Sequence, residues 1–162
     1  MPAPPFRGLA SPSLRRRTRS PQRSALSRAS PSPLQPGALR LLLVANVIPR
    51  KNLGAVLRSL AALRREQRVS SWRLCVAGSL LADPAYTSTL RRSAASLGIS
   101  HDVEWLGVLD EQGLAKLYRS SDLFVLTSTF ENYCMAAHEA AFFGVPILAY
   151  ATGETPSYAC EL

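Results

Sequence analysis

Two carboxylates and one ammonium have the types and spacing to act on a charged, hydroxyl-rich ligand. Glu131 and Glu139 have seven residues between them, within Phe130-Glu-Asn-Tyr-Cys-Met-Ala-Ala-His-Glu139. Glu131 falls in a polar loop after the apolar run Leu123 to Leu126. Glu139 lies about one and a half turns into an Ala-rich segment predicted as a helix, roughly Cys134 to Phe143. A carboxylate buried without a partner among Ala136, Ala137, Ala140 and Ala141 costs several kcal/mol or must protonate. Glu139 therefore either points to solvent or reaches a polar partner in a cleft. Lys51 closes the set, in the loop Ile48-Pro-Arg-Lys-Asn52. Read alone, it is a solvated loop lysine, and Glu139 a solvated helix glutamate.

The elements that must position these groups are legible in the hydrophobic pattern. Ala38 to Val47 reads as a first strand, apolar throughout, which implies cover on both faces and hence a parallel sheet. Asn52 is placed to cap a helix from Leu53 to Glu66, whose Leu53, Val56, Leu57, Leu60 and Leu63 recur at intervals of three and four. Trp72 to Ala77 is a second strand, ended by Gly78. Pro84 to Leu97 is compatible with a helix and stops at Gly98. Asp102 to Leu106 is a third strand, and Asp110 is placed to cap a helix ending near Arg119. Leu123 to Leu126 is the fourth strand, Pro146 to Tyr150 the fifth, with Gly144 ending the helix between them.

Strict alternation of strands and helices predicts an α/β fold: a Rossmann-like, doubly wound parallel sheet of about five strands, order 3-2-1-4-5, with helices on both faces. Ligands of such sheets bind outside the carboxyl ends of the strands at the topological switch point, here between strands one and four. Topology alone thus places the loops Asn46–Asn52 and Thr127–Tyr133 side by side. Lys51 offers a full positive charge to that crevice, and the start of the following helix offers N–H groups around Tyr133, Cys134 and Met135. A nucleoside diphosphate needs both.

The string Glu-x7-Glu, followed by Ala, by Gly144-x-Pro146 and by Thr152-Gly153-Glu154, resembles the donor-binding half of retaining nucleotide-sugar glycosyltransferases of the two-domain GT-B architecture. The likeness is to the large group containing sucrose synthases and many lipopolysaccharide and mannosyl transferases, and it covers roughly residues 40–158. The resemblance implies that Glu131 contacts the transferred sugar, Glu139 the ribose hydroxyls and Lys51 the leaving diphosphate. It also implies that Gly78 permits close approach of the phosphate or sugar, that the backbone near Val108 meets the base, and that Gly153 turns near the diphosphate. Asn46 stands where the family usually has Arg, with Arg50 as a substitute cation, and Cys134 stands where it usually has Gly. The class is generally metal-independent, so the expected ligand is a nucleotide-sugar donor with no metal or other cofactor. A complete GT-B enzyme has an N-terminal acceptor domain as well. The expectation is therefore a domain over 38–162, truncated at its end: a fragment, a truncated gene model, or a donor-binding subunit completed by a GT-B half on another chain. The alternative is a non-catalytic nucleotide- or protein-binding fragment.

Composition excludes other classes. The net charge of +8 resides in residues 1–40, which hold eight Arg and no acidic residue, while the other eleven basic residues are balanced by eleven acidic ones. The folded part has no phosphate-tracking surface for nucleic acid. Residues 1–37, rich in Pro, Ser and Arg, are expected to be disordered. A transit peptide, a tail that meets RNA or anionic lipid, and a stretch with no role all fit that composition. No apolar run approaches the roughly 20 residues of a membrane span, and a cytoplasmic location is expected unless the tail targets an organelle. Cys75, Cys134 and Cys160 have no metal or CxxC spacing, and Cys75 reads as a small core residue. Neither G-x-x-x-x-G-K-[ST] nor G-x-G-x-x-G follows strand one, which argues against an NTPase or a nicotinamide dehydrogenase.

Overall fold

The computed structural model describes residues 31–69, 71–131 and 133–150. Within them the elements alternate as expected: β1 (Leu39–Val44), α1 (Leu53–Arg65), β2 (Trp72–Ala77), α2 (Pro84–Ser96), β3 (Val103–Gly107), α3 (Glu111–Arg119), β4 (Leu123–Leu126), α4 (Met135–Phe142) and β5 (Ile147–Ala149). One five-stranded sheet results, in the order β3-β2-β1-β4-β5. Every pairing is parallel, with Leu41 of β1 beside Leu74 on one side and Leu123 on the other.

The two faces of the sheet carry separate cores. Leu53, Val56, Leu57 and Leu60 of α1 and Leu90 and Ala94 of α2 pack against Leu41, Leu43, Leu74, Val76 and Val125. Leu117 and Tyr118 of α3 and Ala137 and Ala140 of α4 pack against Leu42, Cys75 and Phe124. Leu42 and Cys75 are wholly inaccessible, as central strands covered on both faces must be. Cys75 is therefore the core residue its strand position predicts. Between α1 and the β4–β5 edge an apolar groove of about 260 Å³ remains, lined by Leu41, Val56, Leu60, Val125 and Leu148 among others.

Local chemistry sets the helix ends. Asp110 Oδ1 accepts the Gly113 N–H at 2.7 Å, and Asp83 Oδ1 accepts that of Tyr86 at 2.9 Å, each satisfying a donor the helix cannot. Gly144 follows α4 with φ +71°, a left-handed conformation open to glycine. Asn52 departs from expectation. It is left-handed itself, at φ 51°, and its side chain makes no capping bond to α1. The reason is the 3₁₀ turn Pro49–Lys51, which Asn52 terminates by donating its N–H to the Pro49 carbonyl. Asn tolerates that backbone better than other non-glycine residues.

β1 is shorter than its apolar run. The chain turns out of the strand after Val44, although Ala45 and Val47 still donate N–H bonds to Ala77 and Ser79. The backbone of Ser32 is tied down as well: its N–H reaches the Glu104 carboxylate, and its carbonyl accepts from Arg40 Nη2 at 2.8 Å. Residues 1–30, the greater part of the expected tail, lie outside the described residues.

Candidate functional site

The switch point between β1 and β4 brings two loops together. The Thr129 N–H donates to the Arg50 carbonyl at 2.9 Å, and the Thr127 hydroxyl donates to that of Lys51 at 3.1 Å. Arg50 Nη1 donates to the Phe130 carbonyl at 2.7 Å. These bonds clasp the 3₁₀ turn after β1 to the strand-like exit of β4. Lys51 Nζ thereby meets Glu131 Oε1 in an ion pair between residues 80 apart in sequence. Arg50 Nη1 stands 3.9 Å from the other oxygen of the same carboxylate.

Glu131 is buried, at 6 % exposure. Burial by itself pushes its carboxyl upward. Hydrogen bonds from Lys51 and Ser128, with the charges of Lys51 and Arg50, outweigh that and hold it below the ordinary carboxylate range. The result is a fixed, ionised carboxylate beside a fixed ammonium.

Glu139 finds its partner on α3. The Tyr118 hydroxyl lies 2.9 Å from Glu139 Oε2 and 3.1 Å from the Ala136 carbonyl. Glu139 is half-buried, so it does not stand free in solvent as an isolated helix residue would. Burial, and then the glutamate contact, push the Tyr118 phenol far above its ordinary value. Tyr118 was invisible as a functional candidate in the sequence. Only its position in the last turn of an amphipathic helix marked it, and that pattern describes any core aromatic.

Cys134 lies near both Glu131 and Tyr118. It is buried just before α4, and burial pushes its thiol up, opposed by the Ala137 amide. The Glu131 carboxylate and the Lys51 ammonium both act on it. Tyr118 in turn lies close enough to the thiol to feel it. Lys51, Glu131, Cys134, Tyr118 and Glu139 thus form one electrostatic neighbourhood, though among the described residues no hydrogen bond or ion pair joins Lys51 to Glu139.

The remaining candidates divide. Tyr133 and Met135 are exposed before and at the start of α4, and Tyr133 stacks on His138 with centroids 4.7 Å apart. The Met135 N–H is not free for a ligand, contrary to expectation, because it donates to the Tyr133 carbonyl at 3.1 Å. Asn46 Oδ1 accepts the Ser79 N–H at 3.2 Å, bridging the exits of β1 and β2. Gly78 has a packing reason to lack a side chain. Its φ is +133°, and a Cβ there would lie 2.1 Å from the Ala45 carbonyl oxygen. Val108 is exposed after β3, and Gly153 lies outside the described residues. Among the described residues no group of three His, Cys, Asp or Glu could hold a metal ion. No described helix is long and apolar enough to cross a membrane.

The sequence profile of the family described as glycosyl transferases group 1 matches residues 29–162. The chain belongs to this family. A group 1 relative from Catenulispora acidiphila, D-inositol 3-phosphate glycosyltransferase 2, is 35 % identical over 126 residues, covering 74 % of this chain and 29 % of the relative. The D-inositol 3-phosphate glycosyltransferase of Mycolicibacterium smegmatis is 36 % identical over 98 residues, covering 58 % of this chain and 22 % of that protein. The chain thus spans less than a third of the length of these curated relatives. Among solved structures, Anabaena HepE in complex with UDP and glucose superposes with a TM-score of 0.66 at 22 % identity, covering 75 % of this chain and 32 % of HepE. WaaG, a glycosyltransferase involved in lipopolysaccharide biosynthesis, gives 0.65 at 21 %, covering 78 % and 32 %. At those identities the structural likeness speaks for the fold alone.

Proposed function

We propose that this group 1 domain is the donor-binding half of a GT-B glycosyltransferase. It would hold a nucleotide-sugar in the β1–β4 crevice for transfer of a hexose to an acceptor, with retention of configuration. One observation carries the reading: Lys51 and Glu131 meet at the carboxyl ends of β1 and β4, at the switch point, as a largely buried ion pair.

In this reading Lys51 acts on the leaving group. Negative charge grows on the diphosphate as its bond to the sugar breaks, and a positive charge already fixed in place stabilises that change without reorganisation. A lysine has three N–H donors, so Lys51 can keep Glu131 and still bond a phosphate oxygen. Glu131, ionised, accepts from sugar hydroxyls, and Glu139 accepts from the ribose. Arg50 supplies the second cation that Asn46 does not. No step requires a metal. The support for a nucleotide-sugar comes from the family and from relatives solved with UDP-glucose or with UDP and glucose. The acceptor site belongs to a second, N-terminal type of domain, and the working location is the cytoplasm. Without the second half, proximity worth several kcal/mol is lost.

Calorimetric titration with UDP, GDP and ADP, and with their sugar conjugates, tests the proposal. Saturable binding that disappears in Glu139→Ala is the expected result. No binding to wild-type protein at millimolar ligand would sink it and leave a non-catalytic fragment.

A further inference from the structure

Resting on that reading of Glu139, we infer that Tyr118 is the positioning residue that gives the site its preference for a ribose. The phenol is buried at 1 % exposure and cannot drift. Its ring stacks on Phe143, with centroids 5.3 Å apart and planes at 11°, and tilts against Phe124 at 6.2 Å. Its hydroxyl is within reach of two acceptors on α4, the Ala136 carbonyl and Glu139 Oε2. These acceptors sit three residues apart, hence about one turn apart on the same face of the helix.

The arrangement does more than satisfy a buried hydroxyl. The phenol has a single proton, and of its two acceptors the carboxylate binds it more strongly than the neutral Ala136 carbonyl. Engaging Glu139 Oε2 fixes the rotamer of a side chain that otherwise has three freely turning bonds. Among the described residues Oε1 takes no hydrogen bond, so one oxygen is held by the protein and the other is left to accept. A single fixed acceptor distinguishes a sugar with a hydroxyl at the matching position from one without it. A freely rotating carboxylate does so poorly, because the ligand must order it on binding.

The test compares UDP with 2′-deoxy-UDP and 3′-deoxy-UDP by calorimetry. The proteins are wild type, Tyr118→Phe, Glu139→Gln and the double variant. Tyr118→Phe keeps the ring and its stacking, so the fold persists, and far-UV circular dichroism verifies that. Wild type should favour the ribonucleotide over one deoxy analogue by about tenfold, the order expected of one hydrogen bond to a charged group. Tyr118→Phe should reduce that ratio to about two while leaving the affinity for the matching deoxy analogue unchanged. In the double variant the loss should not add. A Tyr118→Phe protein that keeps the full ratio overturns the inference and leaves the donor-site reading standing. Wild-type protein that binds UDP and both deoxy analogues equally overturns the assignment of Glu139 to ribose, and this inference with it.

Discussion

Lys51 Nζ and Glu131 Oε1 form an ion pair in which both side chains are largely withdrawn from water, at 15 % and 7 % exposure. One partner ends the turn after β1 and the other follows β4, so the pair locks the two halves of the sheet together at their common boundary. Breaking it should be costly. Lys51→Met leaves a buried carboxylate with Arg50 as its nearest cation, and should destabilise the domain by about 3 kcal/mol at neutral pH. The sign with pH follows from the direction of the Glu131 shift. Its folded value is lowered, so its contribution is present above the ordinary carboxylate range and is lost as pH falls through the folded value. Urea unfolding of wild type and Lys51→Met should therefore converge as pH drops from 7 to below 4, and parallel curves would contradict the pairing.

Arg50 is half-exposed, so its removal should act on Glu131 more than on stability. Screened by water, its contribution to folding is about 0.5 kcal/mol. In Arg50→Gln the Glu131 carboxyl should titrate higher than in wild type, because one of the charges holding it down is gone. Carbon-detected NMR on the ligand-free protein reads this directly.

Gly78 cannot accept a side chain. The Cβ of Gly78→Ala would collide with the carbonyl of Ala45 at 2.1 Å, and the φ of +133° is itself unfavourable for alanine. A loss of about 3 kcal/mol or more is expected, in line with other strained backbone sites. Thermal unfolding decides it: an unchanged midpoint would mean that β1 and β2 do not approach this closely.

The buried thiols should be inert. Burial, with help from Glu104, pushes Cys75 up to about 12, and burial raises Cys134 as well. The thiolate is the reactive form, so alkylation of either by iodoacetamide at pH 7.5 should be far slower than in urea. Peptide mass spectrometry distinguishes these sites from Cys160. Rapid native labelling of Cys134 would place it at the surface rather than buried at the start of α4.

The strands, the helices and their order were written in the chain itself. Continuous apolar runs marked β1, β2 and β4, threefold and fourfold spacing marked α1, and Asp110 and Gly144 marked helix ends, because each of these signals acts over a few residues. Alternation then dictated the order β3-β2-β1-β4-β5, and with it the meeting of the two loops. The family followed from a short string of glutamates, glycine and proline.

Other features required the folded chain. That Glu139 is held by Tyr118, that Asn52 turns left-handed instead of capping, that the Met135 N–H is used internally, and that Gly78 faces the Ala45 backbone all depend on how elements separated in sequence pack to within an ångström. Periodicity specifies which face of an element is covered. It does not specify which atom on the neighbouring element lies opposite a given side chain, because that depends on helix position over the sheet and on rotamers chosen jointly by all the residues in contact.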